Sequence, residues 1–154
     1  MAFAQPCATV VVSSCAFQSS ANIFNTHYFY QEFREFEEAV TQEGTATYHD
    51  SCAGLRECHI KDEPRKLLAK VAGLNLTEMN DVETCCGFGG TFAVKFEPIS
   101  IAMGDQKITN AAATDAEYLI STDMSCLMHI DGYIKNKNAN IQTMHLADVL
   151  ASGW

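Results

Sequence analysis

From residue 45 onward, short β-prone runs alternate with helical runs, and this alternation limits the folds open to the chain more than any other feature. "TATYH" (45–49), "LNLTEM" (74–79), "EYLIST" (117–122) and "NIQTM" (140–144) read as strands. Between them, "EPRKLLAKVA" (63–72), "EPISIAMGDQKITNAAAT" (97–114) and "CLMHIDGYIKNK" (126–137) read as helices, and "LADVLAS" closes as another. Pro64 suits a first helical turn and Gly73 is placed to end that helix. Gly104 is an unfavourable residue in the middle of the second helix, and Asp123 or Ser125 can cap the third. Alternation at this rhythm calls for parallel strands joined by right-handed crossovers: an α/β fold with a parallel sheet flanked by helices. Upstream, "ATVVVSS" (8–14) reads as a buried strand. "YFYQEFREFEEAV" (28–40) carries Phe29, Phe33, Phe36 and Val40 at spacings of three and four, an amphipathic helix that Gly44 stops. The chain thus divides into an N-terminal segment, 1–44, and a cysteine-rich domain, 45–154.

Seven cysteines are many for 154 residues, and their placement is not random. Cys52 follows the strand ending at His49, Cys85 and Cys86 lie in the loop after 74–79, Cys126 opens the helix after 117–122, and His145 follows the last strand. All fall at or beyond the carboxyl ends of parallel strands, where open α/β sheets place ligands. An odd count without a basic, apolar leader disfavours a disulfide framework and points to metal or redox chemistry in a cytoplasmic protein.

The spacing narrows the chemistry. Structural zinc sites draw thiolates from C-x₂₋₄-C pairs, and Cys52, Cys85, Cys86 and Cys126 form none. They are separated by 32 residues (53–84) and then, after Gly87, by 38 (88–125). An iron–sulfur cluster is broader than one ion and accepts ligands from separate loops and from adjacent residues. In "CCGFGG", Gly87, Gly89 and Gly90 allow close backbone approach and offer N–H groups to cluster sulfurs. A zinc-binding structural module and a thiol redox pair at Cys85–Cys86 are the alternatives. The net charge of −9 leaves no basic patch for nucleic acid, and no apolar run is long enough to span a membrane. "GFGG" is not a dinucleotide-binding fingerprint.

The strings "YHDSCAGLRECHIKDEPRKLL", "ETCCGFGGTFAVKF", "DMSCLMHIDG" and "TMHLADVL" resemble the second CCG cysteine-rich domain of the lactate utilisation protein A family, over about residues 45–151. The wider group includes the iron–sulfur component of glycolate oxidase and the cysteine-rich component of heterodisulfide reductase. The resemblance implies an iron–sulfur electron-transfer subunit of a bacterial L-lactate oxidation complex, working with other subunits rather than as a complete catalyst. It implies a cluster, of 4Fe–4S type as the leading form, on Cys52, Cys85, Cys86 and Cys126. Where heterodisulfide-reductase-type domains end the motif in C-x-x-C, this chain has His129. His49, His129 and His145 are candidates for contact with the cofactor, with helix capping as the plainer role for His49 and His145. Asp50 is read as a turn residue. Family members carry two CCG repeats and this chain has one; "VVVSSC", ending in Cys15, resembles the close of a first repeat.

Overall fold

The computed structural model describes residues 41–151. The strand expected at 8–14, the helix expected at 28–40, and Cys7 and Cys15 lie outside the described residues. Four strands, β1 (Thr41–Tyr48), β2 (Ala72–Leu76), β3 (Tyr118–Ser121) and β4 (Gln142–His145), pair in the order β2-β1-β3-β4. Every pairing is parallel, as the alternation requires. The connecting helices are α1 (Cys52–Arg56), α2 (Asp62–Leu68), α3 (Thr91–Lys95), α4 (Glu97–Ala112) and α5 (Met124–Lys137), and α6 (Leu146–Ala151) follows β4.

The sheet separates two apolar layers, and consecutive residues of β3 show how. Leu119 joins Ile108, Ala111, Leu127, Ile130 and Ile134 from α4 and α5. Ile120 points the other way, with Ala46 and Tyr48 of β1, to Leu67 and Leu68 of α2 and Val149 and Leu150 of α6. The chain moves one way from β1 to β2, then back past β1 to β3 and β4. The two sets of crossover helices therefore lie on opposite faces. β1 and β3 are neighbours whose helices leave in opposite directions, so their carboxyl ends open a crevice at a topological switch point.

Several boundaries differ from expectation. Helix α2 ends at Leu68, because Lys70 and Val71 close a tight turn onto the carbonyls of Leu67 and Leu68. Gly73 is thus not a helix stop but a residue of β2, and Gly44 likewise sits inside β1, which begins at Thr41. Gly104 does not interrupt α4; it lies against the Tyr133 ring of α5, where an added Cβ would come within 2.6 Å. The short helices α1 and α3 have no counterpart in the sequence pattern. Asp123 is the cap of α5, accepting from the amides of Ser125 and Cys126.

Candidate metal centre

Each cysteine reaches the carboxyl edge of the sheet by a local device. Ser51 accepts from the Gly54 amide and starts α1, so Cys52 is its first residue immediately after β1. Asp123 starts α5 beyond β3, which sets Cys126 in its first turn. Cys85 and Cys86 hang on the loop between β2 and α3. Gly87 has φ 92°, and a Cβ there would stand 2.7 Å from the carbonyl of Ser100. Gly90, at φ 58° and ψ −108°, is needed for its backbone alone, since nothing lies within 4 Å of a would-be side chain.

These devices bring the thiols together. Cys86 Sγ and Cys126 Sγ are 3.2 Å apart and buried, and none of the five cysteines among the described residues forms a disulfide. Their shared hydrogen bond holds Cys86 below the ordinary thiol range and pushes Cys126 above it. Burial, followed by a hydrogen bond with Cys85, raises the Cys52 thiol. The Gly87 amide donates to Cys85 Sγ at 3.4 Å, and the Phe88 backbone favours ionised Cys86. The Gly89 carbonyl accepts from the Phe92 amide at the start of α3.

Among the three candidate histidines, His49 joins the site. It is fully buried at the end of β1, and a ring nitrogen lies with Cys86 Sγ and Cys126 Sγ in one group spanning no more than 4.8 Å. Neither ring nitrogen completes a hydrogen bond among the described residues, although the ring is near enough to favour ionised Cys86. A buried imidazole with no partner is costly, and such atoms mark the place of a missing one. His145, the last residue of β4, is tied up: Nδ1 accepts from the Ala147 amide and Nε2 faces the Thr122 carbonyl at 3.0 Å. His129 stands behind the loop, 3.3 Å from Ser100 Oγ, and Ser100 in turn donates to the Gly87 carbonyl at 2.8 Å. Its ring meets Phe88 and Tyr133 edge-on.

Three supporting residues escaped the sequence reading. Asp50 is no mere turn residue: buried beside His49, it receives two bonds from Arg65, at 3.0 and 2.9 Å. Ser100 and Lys107 both face the CCG loop from α4. Their signal was readable. Ser100, Gly104, Lys107, Ile108 and Ala111 form the buried stripe of that helix, and a serine and a lysine on it are out of place.

Sulfur and imidazole donors converging from separate loops fit zinc or an iron–sulfur centre. Fold and site together define a cysteine-rich α/β domain whose switch point carries a buried Cys–Cys–His group able to hold a metal. Residues 46–131 match the CCG cysteine-rich domain, and the chain belongs to that family. Over 108 residues it is 52% identical to Lactate utilization protein A 2 of Bacillus cereus (strain Q1), covering 70% of this chain and 45% of that protein. It is 46% identical over 109 residues to Lactate utilization protein A of Bacillus cytotoxicus, covering 71% and 46%. The chain therefore spans somewhat under half the length of the curated relatives it matches.

Proposed function

We propose that this chain is the cluster-bearing portion of an iron–sulfur electron-transfer protein in bacterial L-lactate oxidation. The observation that carries the reading is the buried group of Cys86, Cys126 and the unpartnered His49 ring, with Cys52 and Cys85 meeting each other beside Cys86 at the same sheet edge. A 4Fe–4S cluster, when bound, would supply one-electron storage. The protein's own part is physical: three segments hold the four sulfurs, the Gly87 amide donates toward one of them, and the apolar layer around Cys86 and Cys126 limits water. Working with further subunits, such a domain would carry electrons from the 2-hydroxy acid towards an acceptor. No helix among the described residues is long and apolar enough to cross a membrane.

Zinc is the second reading, favoured by the compact His49–Cys86–Cys126 group. Iron, zinc and acid-labile sulfide content, with visible absorption and EPR on protein purified without oxygen, separates the two. Iron with matching sulfide supports the electron-transfer reading; zinc without sulfide overturns it. Cys85→Ser and Cys86→Ser should each abolish the visible cluster absorption, and the exposed Cys58→Ser should leave it unchanged. Full absorption in both CCG variants would remove these residues as ligands.

A further inference from the structure

A buried cation stands behind the CCG loop, and among the described residues no carboxylate is bound to it. Lys107, in the middle of α4, is 1% exposed. Its ammonium donates to two neutral acceptors, the carbonyls of Asp81 at 2.6 Å and Val82 at 3.2 Å. Its immediate neighbours on α4 grip the same turn. Gln106 reaches the Asp81 carboxylate at 3.4 Å, and Asn110 donates to the Asn80 carbonyl at 3.0 Å. Ser100, two turns earlier, holds the Gly87 carbonyl. Helix α4 thus fixes the loop on both sides of Cys85 and Cys86.

The hydrogen bonds explain a donor at position 107, but not a charge. A neutral amide would serve the same carbonyls without the cost of taking an ion out of water. Burial lowers the Lys107 pKa, and the charge that most opposes this is that of Cys86, followed by Asp81, Asp50 and Cys52. The ammonium therefore lies in the field of the proposed ligands. Loading the centre increases the negative charge in that field: four thiols surrendering protons to a dication leave a net negative site.

We propose that Lys107 is the built-in counter-charge of the metal centre, a positioning residue that fixes the 81–82 turn and stabilises the loaded, anionic site. The inference rests on the metal-binding reading above, for a centre held by all four thiols, whether iron–sulfide or zinc. It makes the need for the charge conditional on loading. In the metal-free protein Lys107→Gln, which keeps a donor for the two carbonyls and removes the buried charge, should be tolerated, whereas Lys107→Met also strands those acceptors.

The test uses the full chain with Lys107→Met, Lys107→Gln and Lys107→Arg. Thermal unfolding is measured metal-free and after anaerobic loading with iron and sulfide, or with zinc if that is the metal retained. Loading should raise the midpoint in wild type and Lys107→Arg, and raise it clearly less in both neutral variants. In iron-loaded protein, redox titration followed by EPR should give a more negative potential for Lys107→Met and Lys107→Gln, with Lys107→Arg near wild type. Equal loading increments and equal potentials in wild type and Lys107→Gln would overturn the counter-charge. So would a smaller loading increment in Lys107→Met that Lys107→Gln restores to the wild-type value, since a hydrogen-bond clamp alone then suffices. A wild-type chain that binds neither metal defeats the metal-binding reading itself, and the Lys107 proposal with it.

Discussion

At the scale of residues, the CCG loop owes its shape to backbone conformations that side chains resist. Gly87 combines a left-handed φ of 92° with a carbonyl 2.7 Å from any added Cβ, and that carbonyl belongs to helix α4 and cannot swing away. Gly87→Ala should therefore destabilise the protein by about 1–3 kcal/mol in chemical denaturation and should reduce metal retention, because strain here moves both neighbouring thiols. Ser100→Ala is a milder probe of the same contact. It deletes the 2.8 Å bond to Gly87 and should cost about 1 kcal/mol. A loss of stability without any loss of bound metal in either variant would separate loop stability from ligand placement. The thiols themselves were legible because cysteines are rarely placed side by side for packing. His49 was legible only as a candidate, since nothing in "YHDSC" shows that neither ring nitrogen will find a hydrogen bond.

At the scale of elements, the strand–helix alternation was readable because each segment has its own period, whereas boundaries depended on tertiary contacts that the periods do not carry. Gly104 shows the difference. By propensity it weakens α4, yet it lets the Tyr133 ring approach the helix backbone, and the α4–α5 contact supports His129 and Ser100. Gly104→Ala should gain helix propensity and lose packing. The overlap at 2.6 Å decides the sign, with a net cost of about 1–3 kcal/mol by thermal or denaturant unfolding. A second element-level tie joins the end of β1 to α2. Arg65 binds the buried Asp50 carboxylate in two places, covers the Tyr48 ring at 5.1 Å and reaches Glu78 beyond β2. Arg65→Gln should cost about 3 kcal/mol, since it strands a buried carboxylate, whereas Glu83→Gln, which breaks an exposed pair with Lys61, should leave stability unchanged within error. Comparable losses in both would mean that burial of Asp50 does not govern the effect.

At the scale of the molecule, the sheet order puts three crossover connections and one strand end around a single crevice. β1 and β3 deliver His49, Cys52 and Cys126 directly, and the loop after β2 brings Cys85 and Cys86 to the same edge. A metal there would cross-link segments that are 33 or more residues apart, the separation of Cys52 and Cys85, closing large loops that otherwise cost chain entropy. The opposite edge of the sheet gains nothing from this link. Hydrogen exchange on loaded and metal-stripped protein should therefore show a one-sided pattern. Amides at 50–55, 85–90 and 124–128 should become more protected on loading. Those at the amino ends of the strands, around 43–45 and 117–118, should change little. Protection confined to the CCG loop would mean that the metal is held locally and that Cys52 and Cys126 are bystanders. Uniform protection across the sheet would mean that loading acts through global stability rather than through a cross-link at the carboxyl edge.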